Sequence, residues 1–66
     1  MLAMPVVHIY MWAGRSSDVK ERIIEGVTKV FTEVGVPSEA VTVIIHDIPR
    51  EDWGIGGRPA SKLKIG

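Results

Sequence analysis

A single β-α-β unit with two parallel strands, one long helix and a C-terminal hairpin is the architecture this sequence predicts, of the α/β class (α+β in some schemes). Three observations predict it. Apolar residues alternate along positions 5–11, recur every three or four positions along 19–34, and condense into a β-branched run at 41–46. Strand, helix and strand in that order form a right-handed crossover, which makes the strands parallel.

The first strand has Val7, Ile9 and Met11 on one face and Val6, His8 and Tyr10 on the other, the mixed pattern of a half-buried strand. Ala13-Gly14 ends it. Ser16-Ser17-Asp18 then supplies a helix N-cap and a first-turn carboxylate. Val19, Ile23, Val27, Val30, Phe31 and Val34 form the apolar stripe of the helix, with Asp18/Arg22 and Glu25/Lys29 as i,i+4 pairs on its outer side. Gly35 falls where a helix ends, and Pro37 prevents its resumption. Val41-Thr42-Val43-Ile44-Ile45-His46 is the second strand. Gly54-Ile55-Gly56-Gly57, after Arg50-Glu51-Asp52-Trp53, reads as a tight turn or small hairpin.

The chain has 66 residues, enough for one domain. At this size only ~60% of the unfolded chain's surface is buried, so the core is marginal without a staple. No cysteine is present, which excludes disulfides and thiolate metal sites. Two strands and one helix cover a single face of the sheet, whereas parallel sheets are normally covered on both. The face carrying Val6, His8 and Tyr10 is therefore expected to be an interface between copies, with Trp53 and Ile55 packing on a neighbouring subunit. A net charge of zero argues against nucleic acid, which calls for a basic stripe. No apolar run reaches the ~20 residues of a membrane span, nor does the N-terminus have the pattern of a signal peptide, so a cytoplasmic location is expected.

Several constellations carry little chemistry. The glycine cluster lacks the Lys-Ser/Thr and the following helix of a phosphate loop. His8 and His46 without a third ligand make a poor metal site, so no metal and no cofactor are expected; hydrogen-bonded interface histidines are the better reading. No Ser/His/acid spacing resembles a nucleophilic triad. Arg15, at the turn before the helix, reads as an ordinary solvated arginine or as a carboxylate-binding corner made with the helix N-terminus.

Pro5 opening the unit, Gly14-Arg15-Ser16 before the helix, Val43-Ile44-Ile45 in the second strand and Trp53-Gly54-Ile55-Gly56-Gly57 in the hairpin occur in order. From Pro5 through Lys62 the chain resembles the 4-oxalocrotonate tautomerase family of the tautomerase superfamily. The resemblance implies a small isomerase that moves a proton on a 2-oxo or enol carboxylate. It makes Pro5 the catalytic base and then acid, and Arg15 the substrate carboxylate anchor whose charge also favours the unprotonated amine. Trp53, with Ile55 beside it, becomes the apolar wall. It also implies a hexamer, a trimer of dimers, with a homo- or hetero-oligomer both left open.

Two features depart from that family. Its second arginine, which polarises the 2-oxo group, aligns with Thr42; losing such a donor costs ~10²–10³ in rate. That absence points to a substrate less demanding than a diacid. Arg50 and Arg58, near the hairpin, are the candidates in this chain to substitute for the missing arginine, but nothing in the sequence positions them. The second departure is the segment 1–4, an N-terminal extension or mis-called start before the domain at 5–66. An N-terminal proline has a basic secondary amine; joined to Met4 it has only a tertiary amide. An ordinary α-amino group titrates near ~8 and must be partly unprotonated to serve as a base at neutral pH. The competing reading is a non-catalytic assembly or ligand-binding subunit of a tautomerase-like oligomer, favoured by the blocked Pro5 and by Thr42.

Overall fold

In the computed structural model, which describes residues 4–64, strand β1 (Val6–Trp12) leads into helix α1 (Ser17–Glu33), and strand β2 (Thr42–Ile48) returns parallel to β1. The register pairs Val6 with Thr42 at one end and Trp12 with Ile48 at the other. Each strand runs one or two residues beyond the alternating patterns because the ladder continues: the Ala13 amide still donates to the Ile48 carbonyl at 2.9 Å. Strands β3 (Gly54–Ile55) and β4 (Arg58–Pro59) form a separate antiparallel hairpin. Gly56 and Gly57 have φ of +61° and +81°, the paired left-handed conformations that a two-residue hairpin loop demands. Single 3₁₀ turns occupy Ser38–Ala40, Arg50–Asp52 and Ala60–Lys62.

The helix ends follow from local chemistry. Ser16 Oγ accepts from the Val19 amide at 3.3 Å, satisfying one of the free N–H groups of the first turn. At the other end the Gly35 amide donates to Thr32 and the Val36 amide to Phe31, the paired bonds of a Schellman motif. The expected Asp18/Arg22 and Glu25/Lys29 ion pairs do not close among the described residues. Lys20 instead reaches across to Asp47 on β2, fastening the helix to the sheet.

Alternation assigns the two faces of the β1–β2 sheet. Val7, Ile9, Met11, Val43 and Ile45 are half-buried on the helix side, with Ile23, Val27 and Phe31 facing them as half-buried helix residues. Val19, Val30 and Val34, also expected in the helix stripe, are exposed instead, because a two-stranded sheet is too narrow to cover the full stripe. The opposite face is open: Val6 is 55% and Tyr10 59% exposed.

Among the described residues only Ala40 and Ala60 are buried, and no large side chain is. The radius of gyration is 15.1 Å, against about 11 Å for a compact domain of this length. This chain alone is a slab with one side finished.

Candidate functional site

The sheet positions functional side chains at its two ends. At the end where both strands begin, Pro5 immediately precedes β1, and its carbonyl accepts from the Thr42 amide at 3.0 Å. That bond places Thr42, the first residue of β2, beside Pro5. A small, largely apolar cleft of about 240 Å³ lies here, lined by Met4, Pro37, Glu39 and Ala40. In this chain Pro5 is joined to Met4, and of the segment 1–4 the residues Met1, Leu2 and Ala3 lie outside the described residues.

The opposite end holds the cations and the large aromatics. Gly14, at φ +124°, turns the chain off β1 in a conformation that strains any residue with a Cβ, and this brings Arg15 to the rim. β2 ends level with Trp12, and the 3₁₀ turn at Arg50–Asp52 returns Arg50 over it, its guanidinium carbon 4.6 Å from the Trp12 ring centroid. Trp53 meets Trp12 edge to face, with ring centroids 5.9 Å apart. The hairpin is tied into this corner by the Ala60 amide, which donates to the Trp53 carbonyl at 2.7 Å. Trp12, Ala13, Gly14, Arg15 and Arg50 line a cleft of about 460 Å³.

Trp53 thus has a partner within its own chain that the sequence did not foresee, because β1 extends to Trp12, and it stays half-buried here, with surface left for a neighbour. Ile55 remains 43% exposed on the hairpin.

Pro5 and Arg15 are not brought together. Seven residue steps along β1, from Pro5 to Trp12, span about 23 Å at ~3.3 Å per residue, and Arg15 shares the cleft at the Trp12 end. This is more than twice the Debye length of ~8–10 Å, so Arg15 has negligible influence on the proline of its own chain. Only the Arg15 of another copy could perform the role that the sequence implies.

Trp12 was not legible as a site residue, and Arg50 stood out only as one of two arginines, with Arg58, that could replace the missing one. Trp12 lies one position past the alternating run, where its parity with Val6, His8 and Tyr10 was the available signal. Arg50 is positioned only by the turn after β2. On the open face between the two ends, His8 Nδ1 and His46 Nε2 are 2.9 Å apart, and Tyr10 stacks on His46 at 4.3 Å. The hydrogen-bonded histidine pair is as expected, although in this chain alone His8 is exposed and His46 half-buried. Among the described residues no group of three or more His, Cys, Asp or Glu side chains could hold a metal.

Similarity to known proteins agrees with this framework. The profile of a family described as tautomerase enzyme matches residues 5–62, its match beginning at Pro5. The chain is 51% identical to 2-hydroxymuconate tautomerase of Comamonas testosteroni over 61 residues, which covers 91% of this chain and 97% of that one. It superposes on a 4-oxalocrotonate tautomerase isozyme from Methylibium petroleiphilum with a TM-score of 0.84 and 47% identity, over 92% of this chain and 100% of the other. A wild-type fused 4-OT, solved as an asymmetric trimer, aligns with a TM-score of 0.84 and 32% identity, over 92% of this chain and 50% of its own length. With its parallel pair, crossover helix and terminal hairpin, the chain belongs to the tautomerase family, within the 4-oxalocrotonate tautomerase group, and its activity class is that of an isomerase.

Proposed function

We propose that the chain catalyses keto–enol or 1,3-proton transfer on a conjugated 2-oxo or enol carboxylate, with Pro5 as the base that removes a proton and the acid that returns it. The observation that carries this is the family match beginning at Pro5, directly ahead of β1. The reaction runs in the form whose first residue is Pro5, where the ring nitrogen is a secondary amine. With residues 1–4 attached, that nitrogen has neither a proton to give nor a basic lone pair.

Arg15 of a neighbouring copy anchors the substrate carboxylate through its planar fork. The neighbour's Trp12 and Trp53 dry the pocket, with Ile55 at the hairpin edge. Excluding water strengthens the ionic contact and favours the neutral, basic form of the proline amine. Thr42, beside Pro5, offers a hydroxyl where the family pattern has a guanidinium. The natural substrate belongs to the class of small unsaturated acids on which relatives such as 2-hydroxymuconate tautomerase act.

The working unit is an oligomer, a hexamer built as a trimer of dimers, in the cytoplasm. An open sheet face, a near-absent core and an extended chain support assembly. Among the described residues no helix is long and apolar enough to cross a membrane.

Two preparations test the reading, one beginning at Pro5 and one retaining Met1, both assayed for ketonisation of phenylenolpyruvate. The Pro5 form should be active, and the Met1 form should lose on the order of 10²–10⁴ in rate, the usual worth of a positioned acid–base group. Equal rates would overturn the proline mechanism. Sedimentation velocity on the same samples should show a hexamer; a folded monomer at every concentration would remove the two-chain site.

The second reading, a non-catalytic subunit in a hetero-oligomer, is favoured by one observation: at the Pro5 end Thr42 brings no positive charge. Inactivity of the Pro5 form alone, with activity restored by a co-purifying partner chain, would select it.

A further inference from the structure

Arg50 is the group in this corner that neither the family match nor the sequence pattern accounts for. It shares with Arg15 the cleft at the Trp12 end of the sheet. Its guanidinium lies over the indole of Trp12 at 4.6 Å, an arrangement that fixes the plane and direction of an otherwise flexible side chain. Among the described residues, neither Arg15 nor Arg50 has a carboxylate within ion-pairing distance. Trp12 Nε1, on the wall of the same cleft, is buried and has no hydrogen-bond partner among them. Two guanidinium groups beside an indole ring around one opening, with no carboxylate paired to either, make a cationic, acceptor-poor cleft, and such a cleft is complementary to an anion.

We propose that Arg50 is a second substrate-anion ligand and a specificity-determining residue. With Arg15 it makes one doubly cationic cleft for the negative charge of the substrate, and it supplies, at the other end of the sheet, the positive charge that Thr42 lacks. Two uncompensated cations in one cleft favour a planar unsaturated acid bearing two negative charges over one bearing a single charge. This reverses the expectation that the missing arginine implies a less demanding substrate. The identity of the anion as substrate rests on the tautomerase reading above; the binding itself does not.

The test uses the chain that retains Met1, in which proline chemistry is switched off, so that binding is read apart from turnover. The combined fluorescence of Trp12 and Trp53 is titrated with fumarate, an unreactive planar diacid, and with crotonate, its monoacid counterpart. Fumarate should bind more tightly. Arg50→Met, which keeps a long apolar stem on the indole, should weaken fumarate on the order of 10–100-fold, as expected for a lost charge-assisted hydrogen bond, and crotonate much less. Arg50→Lys should recover part of the loss. Arg58→Met, outside the cleft lining, should leave both affinities unchanged. In the form beginning at Pro5, Arg50→Met should raise KM for a diacid far more than it lowers kcat. Unchanged fumarate binding in Arg50→Met overturns the proposal, as does an equal loss in Arg58→Met. Should Arg50→Met fail to assemble, Arg50→Lys decides alone: a preference for fumarate over crotonate identical to that of the parent chain overturns the assignment. Loss of turnover in the Pro5 form with fumarate binding intact would count against the proline mechanism and leave Arg50 in place.

Discussion

The two ends of the β1–β2 sheet differ in nearly every chemical respect. The end at Pro5 and Thr42 is small, largely apolar and poor in cations, whereas the end at Trp12 carries two arginines and two indoles around a larger cleft. A basic amine is best kept where nothing hydrates it and no anion of its own chain pairs with it. A carboxylate is best received where fixed guanidinium groups meet a dry aromatic floor. One chain builds a small, largely apolar cleft with Glu39 on its wall at one end and a cationic, aromatic cleft at the other, about 23 Å apart along β1. In the proposed reading neither end is a complete site, and a second copy seated on the open sheet face between them would bring them together.

The largest test of that comparison is complementation. A chain retaining Met1 and a chain with free Pro5 and Arg15→Ala should each be nearly inactive. Unfolded and refolded together in equal amounts, they should regain about a quarter of the parent activity, since a quarter of sites would draw both intact groups from different copies of a symmetric oligomer. No recovery in the mixed oligomer would place proline and arginine in one chain's site.

Charge can also be moved between the ends. Thr42→Arg places a guanidinium beside Pro5 and should raise turnover by up to ~10²-fold if that electrophilic role is vacant. An unchanged rate would mean that Arg50 already supplies the charge from across the site. Stability should track the same asymmetry. Trp53→Ala removes the edge-to-face partner of Trp12 and should cost roughly 2–3 kcal/mol, less than the ~3–5 of a fully buried ring. Thermal unfolding of the assembled protein measures it, and an unaltered melting curve would remove the hairpin from the framework. Ser16→Ala should have the smallest effect, ~0.5–1 kcal/mol, because the cap bond is long and exposed. Urea unfolding at fixed protein concentration reads that loss, and turnover should not change.

Local chemistry was enough to reveal the scaffold. Alternation in β1, the three-and-four spacing of α1, the Ser16 cap, the Gly35 stop and the Gly56-Gly57 turn are short-range properties of the chain, and each appears in the structure within a residue or two of its expected place. Parallel pairing follows from the crossover, and the open second face from the count of strands. Pro5, Arg15 and Trp53 stood out through the spacing of their motifs. What the sequence could not contain was distance. That Pro5 and Arg15 occupy opposite ends depends on how long β1 runs before it turns, and the ladder carries it through Trp12. That Arg50 and Trp53 converge on Trp12 depends on where β2 stops, on one 3₁₀ turn and on a hairpin folding back, contacts between residues some forty positions apart. Periodicity records which face a side chain takes; only the paired strands and the returning turn decide what stands opposite it.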